Sequence, residues 1–338
     1  MDFNDAGKHM STNSTATAEA LQPGHFGTRA WHGDVLDPTR GHVHLLQAVV
    51  DELDACISYL RRNPLPVLAL RREDFALPLT TRFAATLRDE LDRGCGFVLV
   101  DRLPMANWTR EECIVAYWLI ASCIARPVAQ SHDGKMVYDV TDRGKPPGNG
   151  VRPDVTNVGQ NYHTDNSYNH VPPHYVSLLC LQPSISGGMS GIVNFGWALE
   201  AMREHYPDLV ERLFEPFYFD RQREHADGDV MVCRHPLFER DGEQLIARLS
   251  HRQVVNGYAL ADEPFDDRGR AALDALESIL NEPGAAKTFM FEPGQIQIIN
   301  NRALGHCRTA FQDSDDPARK RYLVRLWLRD SGARGYGV

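Results

Sequence analysis

The apolar residues of this chain change their spacing near residue 126, and this change limits the folds that the chain can adopt. Before it, apolar residues recur every three to four positions over 45–62, 82–93 and 107–125, as amphipathic helices require. After it, apolar runs are short and several alternate with polar residues, which is typical of strands. Helices followed by many short strands indicate an α+β fold with a β-sandwich or barrel core.

The predicted strands lie mainly in the second half of the chain. They cover 96–104, 137–140, 175–181, 288–291, 295–300 and 321–329. Further short strand-like segments continue to about residue 258. Two more helices are predicted, around 197–204 and over 268–281, and Thr109 is the expected N-cap of the helix that precedes residue 126.

The first part of the chain differs from the rest. Residues 1 to about 30 are polar, rich in Ser, Thr and Gly, and lack periodicity, so we expect a flexible N-terminal tail. No linker or repeat divides the remainder, which predicts a single domain over 31–338.

Composition excludes several classes of partner. The chain has 45 acidic and 36 basic residues, a formal net charge of −9, and no basic stripe, so neither nucleic acid nor an anionic membrane surface is expected. No apolar run approaches the roughly 18 residues of a transmembrane helix. The seven scattered cysteines form no CxxC pair, and the start of the chain has no apolar signal region. We therefore expect a cytoplasmic protein that acts on a small molecule.

The segment NYHTDNSYNH, residues 161–170, places His163 and Asp165 two positions apart. In an extended chain, side chains at i and i+2 point to the same face, so these two would project together. An imidazole and a carboxylate suit iron, zinc or manganese. The same letters are also typical of a polar surface loop. A metal site therefore requires a third ligand from elsewhere.

Two later segments bear on this requirement. His306 follows the alternating strand at 295–300 and a polar corner, a position from which a side chain can reach the mouth of a barrel. In the final strand, RYLVRLWLR, Arg321 and Arg325 share a face with Trp327. Such a face indicates either a solvated surface or a barrel interior that binds an anion, because a guanidinium matches a carboxylate.

Together, the HTD triplet, the Gly-Gly-Met-Ser segment at 187–190, NNRALGHCRTAF at 300–311 and the arginine-bearing last strand resemble the TauD/TfdA family of Fe(II)- and 2-oxoglutarate-dependent dioxygenases. Residues 301–311 most resemble the clavaminate synthase-like branch. The resemblance spans roughly 96–330. It implies a double-stranded β-helix (jelly-roll) core at about 96–330 with flanking helices.

The resemblance also implies residue roles. His163, Asp165 and His306 match the two histidines and one carboxylate that hold Fe(II) and leave positions open for the cosubstrates 2-oxoglutarate and O2. Arg321 matches the arginine that pairs with the distal carboxylate of 2-oxoglutarate.

Other positions match the family more loosely. Ser190 falls where many relatives place a threonine hydroxyl that reaches 2-oxoglutarate. Arg325 matches a residue that contacts either the cosubstrate or an anionic group of the substrate, which favours an anionic or amino-acid-like substrate. Further candidate substrate residues lie near the ligands: Tyr138, Tyr162, Asn166, Ser167 and Tyr168.

The implied reaction is oxidation, by default hydroxylation, of an unactivated C–H bond in specialised metabolism or catabolism. Desaturation, epoxidation and cyclisation use the same cofactors and stay open. A halogenase is disfavoured because Asp165 occupies the ligand position that a chloride would need. Two alternatives from other classes are a zinc hydrolase, which gives no role to Arg321, and a non-catalytic binding barrel.

Overall fold

The computed structural model describes residues 30–146, 151–242, 244–332 and 334–336. The flexible tail predicted for residues 1–30 lies, apart from its last residue, outside this part of the chain. The described helices are α1 (Gln47–Arg62), α2 (Pro78–Arg93), α3 (Arg110–Ile124), α4 (Phe195–His205), α5 (Pro207–Val210), α6 (His251–Ala261) and α7 (Asp267–Leu280). None of these helices is long and apolar enough to cross a membrane.

Strands account for much of the remainder, which confirms a mixture of helices and sheets. The strands are β1 (His42–Val43), β2 (Phe97–Val100), β3 (Arg126–Val128), β4 (Tyr138–Val140), β5 (Gln160–His163), β6 (Tyr175–Gln182), β7 (Ser186–Gly187), β8 (Ser190–Asn194), β9 (Pro216–Asp220), β10 (Val232–Pro236), β11 (Phe238–Asp241), β12 (Gln244–Ala247), β13 (Lys287–Phe289), β14 (Ile296–Asn300), β15 (Leu304–Arg308), β16 (Phe311–Gln312) and β17 (Tyr322–Arg329).

Two sheets position the site. The larger has seven strands, in the order β1-β2-β14-β6-β17-β3, with β4 paired to the start of β17. All of its pairs are antiparallel except β1 with β2. The smaller sheet has four antiparallel strands in the order β13-β8-β15-β5. Three two-stranded sheets, β9 with β10, β11 with β12 and β7 with β16, complete the pairing.

The last strand, β17, shows how the core is layered. Val324 and Leu326 belong to the apolar cluster formed with α1, α2 and α3. On the opposite face, Trp327 packs in a cluster with Ile192 and Leu304 of the four-stranded sheet. Because side chains alternate along a strand, the large sheet lies between the N-terminal helices and the small sheet. The arginine-bearing face of β17 is therefore interior and not solvated.

The outer face of the small sheet is covered by the later helices. Val193 of β8 and Phe195 cluster with Leu199 of α4 and Leu276 of α7. The layers are thus helices, large sheet, small sheet and helices. The space between the two sheets is where side chains of both can meet.

The prediction of strand-like segments up to about residue 258 is wrong over α6, which is helical from His251 to Ala261. Val254 and Val255 favour a strand locally, but the helix is fixed by packing on β9. Gly257 permits this packing, because a Cβ there would lie 2.5 Å from the carbonyl oxygen of Tyr218.

Other boundaries differ at the ends of elements. The helix predicted from residue 82 begins at Pro78, a residue that suits the first helical position. Thr109 is confirmed as an N-cap, in a capping box with Glu112. His306, expected beyond a strand, lies inside the additional strand β15, which is too short and polar to show in the sequence.

Candidate metal centre and cosubstrate pocket

His163, Asp165 and His306 come together between the two sheets. His163 of β5 and His306 of β15 are partners in register, and Asp165 follows β5 by two residues. The Nε2 atoms of His163 and His306 lie 3.4 Å and 3.6 Å from Oδ1 of Asp165. The three ligand atoms all lie within 4.8 Å of one another. The two separations from Asp165 are short enough for one ion with bonds of about 2.1 Å to contact the carboxylate together with either imidazole.

The Asp165 carboxylate is oriented by its neighbours. Its Oδ2 accepts a hydrogen bond from the indole N–H of Trp327 at 2.6 Å and lies 3.2 Å from Nη1 of Arg325. Its backbone N–H donates to the side chain of Asn301 at 2.8 Å. Burial opposes ionisation, but Arg325 and the two histidines hold the pKa of Asp165 well below its usual range. Asp165 is therefore an anion whose Oδ1 is directed at the imidazoles.

Both imidazoles are suited to bind a metal. Nδ1 of His163 lies 2.9 Å from the carbonyl oxygen of Asn161, to which it donates, so Nε2 keeps its lone pair. The side-chain amide of Gln160 lies 2.9 Å from that Nε2. Burial and the neighbouring His163 lower the pKa of His306 to about 3, so His306 is neutral. Two imidazoles and one carboxylate fit Fe(II) in a site with open positions.

The guanidinium of Arg325 connects the metal ligand to a second carboxylate. It donates to Gln130 Oε1 at 2.8 Å and to Oδ2 of Asp154 at 3.1 Å, in addition to its contact with Asp165. The ring of Tyr138 lies 4.8 Å away. The charge of Arg325 is thus balanced by two buried carboxylates, and this network orients Asp165.

Arg321 is in the opposite electrostatic situation. It is 4% exposed, and its Nη1 has no hydrogen-bond partner among the described residues. Burial and the nearby Arg308 lower the pKa of Arg321 to about 9. A Cβ at Gly188 would lie 3.4 Å from Nε of Arg321, so the Gly-Gly turn that precedes Ser190 packs against this side chain. Asp313 is the nearby negative charge, but it bonds the backbone N–H of Arg321 and forms no salt bridge with the guanidinium. A buried guanidinium without a salt bridge is a candidate site for an anion.

A cavity of about 220 Å³ opens beside the metal ligands. Of the candidate substrate residues, Tyr162, Asn166 and Tyr168 line it, together with Arg325. Asn166 has φ of 58°, which Asn tolerates, and its Oδ1 accepts from the hydroxyl of Tyr336 at 3.2 Å. That hydroxyl also contacts the hydroxyl of Tyr168. These contacts fix Asn166 at the wall of the cavity.

For Tyr162 and the remaining candidate substrate residues, either the whole side chain or its hydroxyl lies away from this cavity. Ser167 is fully buried and donates to Gln253 at 2.6 Å, and it does not line the cavity. The Tyr138 ring lies behind Arg325. Tyr162 borders the cavity, but a Cβ at Gly191 would lie 3.1 Å from its hydroxyl, so that hydroxyl lies on the far side of the small sheet.

A larger cavity of about 300 Å³ lies away from the metal ligands. The charged groups on its wall are paired, since Arg88 bonds Asp92 and Asp330. It contains none of the three ligand residues, and the smaller cavity is the candidate active site.

Three side chains that contact the site or its loops are not indicated as site residues by the sequence analysis. Arg248 donates to the backbone carbonyls of Asn169 and His170, and so holds the loop that follows Asp165. Asp154, which lies in a Gly/Pro-rich loop, contacts Arg325, and Arg308 lies close to Arg321. For Arg308 a signal existed, because it stands two positions after His306 in an extended segment.

Residues 61–327 match the sequence family described as "Taurine catabolism dioxygenase TauD, TfdA family". The chain belongs to this family. The TauD/TfdA protein described here is thus a 2-oxoglutarate-dependent non-haem iron oxygenase, with Fe(II), 2-oxoglutarate and O2 as metal and cosubstrates.

Several relatives of this TauD/TfdA protein are known. FR-33289 synthase of Streptomyces rubellomurinus is 24% identical, over 94% of each chain. The structure of an asparagine oxygenase with Fe(II), 2S,3S-3-hydroxyasparagine and succinate is 18% identical with a TM-score of 0.67, and covers 88% of this chain and 100% of that chain. The structure of the oxygenase OrfP with Fe, succinate and (3S)-hydroxy-L-Arg is 15% identical with a TM-score of 0.62, and covers 86% of this chain and 94% of that chain. These two structures share the fold.

Proposed function

We propose that this oxygenase hydroxylates an unactivated C–H bond of a small amino-acid-like molecule, with Fe(II) held by His163, Asp165 and His306. The observation that carries the proposal is the orientation of Asp165. Because Trp327 and Arg325 occupy Oδ2, Oδ1 is left for the metal beside the two imidazoles. When bound, Fe(II), 2-oxoglutarate and O2 supply the oxidising chemistry, with succinate and CO2 as by-products.

Arg321 is the proposed partner of the distal carboxylate of 2-oxoglutarate. Its guanidinium is buried, its Nη1 has no hydrogen-bond partner among the described residues, and a bound carboxylate would offset the cost of burying the charge. Ser190, 6% exposed and two residues from Gly188, is the proposed hydroxyl donor to the same cosubstrate.

Two unpaired polar atoms support an amino-acid-like substrate. Within the described residues, Oδ1 of Asp154 and Nδ2 of Asn166 have no hydrogen-bond partner, although both residues are 5% exposed and line the cavity. A buried acceptor and a buried donor call for a ligand that offers the reverse, such as an ammonium and a carboxylate or amide oxygen. The solved relatives carry hydroxylated asparagine and arginine.

Arg325 is proposed to hold Asp165 in place, because both of its terminal nitrogens already contact carboxylates. A contact from its remaining N–H groups to an anionic substrate group is compatible with this role. The facing sheets are proposed to form the jelly-roll core of a single domain over 31–338. Residues 301–311 support placement in the clavaminate synthase-like branch.

The test uses a panel of polar L-amino acids that includes L-asparagine and L-arginine. The protein is incubated with Fe(II), 2-oxoglutarate and each compound in air, and succinate and the product mass are measured. We expect at least one compound to raise succinate formation and to gain one oxygen atom, and Asp165→Ala to abolish both. A product lighter by two hydrogens would indicate desaturation. Zinc-dependent hydrolysis without succinate would contradict the proposal, and so would a protein that binds these compounds without turnover.

A further inference from the structure

Arg308 shares a strand face with the metal ligands. It follows His306 by two residues in β15, so both side chains point to the same side of the small sheet. It is also the register partner of Ser190 in β8, which makes their side chains neighbours. Arg308 is 8% exposed. Its side chain therefore lies between the two sheets, next to Ser190, whose hydroxyl is the proposed donor to 2-oxoglutarate.

Arg308 and Arg321 form a pair of buried like charges. Each guanidinium carbon lies near the ring of Phe311, at 4.8 Å for Arg308 and 5.0 Å for Arg321. Within the described part of the chain, Nε of Arg308 and Nη1 of Arg321 have no hydrogen-bond partner, and no ion pair involves either side chain. Asp313 lies near both guanidiniums and accepts from the backbone N–H of Arg321, but it forms no salt bridge with either side chain. An anion that reached both would therefore offset the cost of burying two cations.

The position of Arg308 is set in advance by the backbone. Its Nη2 donates to the carbonyl oxygens of Thr156 at 3.2 Å, Val158, and Pro153 at 3.5 Å. These bonds fix one edge of the guanidinium and leave Nε unpaired. Because the side chain is already ordered, little conformational entropy is lost when a ligand binds.

We propose that Arg308 is a second cation for the distal carboxylate of 2-oxoglutarate and binds it together with Arg321. The inference rests on the use of 2-oxoglutarate by this enzyme and adds a residue to the cosubstrate site. The same residue anchors the loop that carries Asp154, so it also ties the cosubstrate site to the wall of the substrate cavity.

The experiment is an anaerobic titration of the Fe(II) protein with 2-oxoglutarate, followed by the visible charge-transfer absorbance. A parallel titration uses 2-oxobutyrate, which keeps the 2-oxo acid but lacks the distal carboxylate. We expect Arg308→Gln to weaken 2-oxoglutarate binding by roughly 10- to 100-fold, as for loss of a hydrogen bond to a charged group, and to leave 2-oxobutyrate binding unchanged. Arg302→Gln, a half-buried arginine four residues before His306, is the matched control and should change neither.

Three outcomes would overturn the inference. In the first, Arg308→Gln weakens the binding of 2-oxoglutarate and of 2-oxobutyrate equally, which indicates a structural role. In the second, Arg308→Gln leaves 2-oxoglutarate binding unchanged. In the third, Arg302→Gln weakens 2-oxoglutarate binding as much as Arg308→Gln does. If Arg308→Gln does not fold, Arg308→Lys decides, because it keeps the charge but not the fork. Its preference for 2-oxoglutarate over 2-oxobutyrate should fall several-fold, and an unchanged preference contradicts the proposal. A wild-type protein without the absorbance would contradict the iron and 2-oxoglutarate function itself, which separates the two failures.

Discussion

Replacement of Trp327 by phenylalanine removes one hydrogen bond from a metal ligand and leaves all three ligands in place. The indole N–H donates to Oδ2 of Asp165 at 2.6 Å, and Trp327 is 2% exposed. A hydrogen bond to a charged group contributes about 1.5–3 kcal/mol. Loss of a residue that orients a ligand typically weakens metal affinity by about 10- to 100-fold. We expect the lower part of that range, because Nη1 of Arg325 still lies 3.2 Å from the same oxygen.

The assay is an anaerobic Fe(II) titration at saturating 2-oxoglutarate, read by the charge-transfer absorbance. Trp118→Phe is the matched control. Trp118 is 1% exposed and its indole donates to the carbonyl of Leu70 at 3.1 Å, in the helical layer away from the ligands. Both variants should lose about 1–3 kcal/mol of unfolding free energy. Only Trp327→Phe should lose iron affinity, and equal affinities in the two variants would refute the orienting role.

Three further predictions address other parts of the molecule. Arg321→Gln should weaken 2-oxoglutarate binding by roughly 10- to 100-fold while Fe(II) binding without cosubstrate stays unchanged, as measured by calorimetry. Burial and Arg248 lower the pKa of His235 to about 4 from 6.5, so the folded protein resists protonation and stability should fall as pH drops through that window. The free energy of unfolding, measured by urea titration, should therefore fall less between pH 7 and pH 5 in His235→Gln than in the wild type, by about 1 kcal/mol after allowance for solvent screening. An unchanged dependence of unfolding free energy on pH would contradict this. Thr109→Ala removes a capping box and should cost about 1 kcal/mol of stability in the same assay, with no effect on iron affinity.

Two ligands of the candidate metal centre could be predicted from the sequence because they are local to each other. His163 and Asp165 stand two positions apart in an extended segment, so their common direction follows from strand geometry. His306 is indicated by the segment at 300–311, which resembles the corresponding segment of the TauD/TfdA family. The structure brings the three together, as that frame implied.

The supporting residues could not be predicted because their partners are distant in the sequence. Asp154 and Arg325 are 171 positions apart, and Arg308 reaches a carbonyl 152 positions away. Nothing in a Gly/Pro-rich loop indicates which acidic side chain will be buried against an arginine. The helix α6 was missed for a related reason, since its packing on β9 through Gly257 outweighs the local preference of its valines.

The central claim is that His163, Asp165 and His306 hold Fe(II) in a site that also binds 2-oxoglutarate. Anaerobic addition of Fe(II) and 2-oxoglutarate to the wild-type protein tests it most directly. We predict a visible charge-transfer absorbance that saturates at one iron per chain and disappears in His306→Ala. Folded wild-type protein without that absorbance, or an undiminished absorbance in His306→Ala, would contradict the claim.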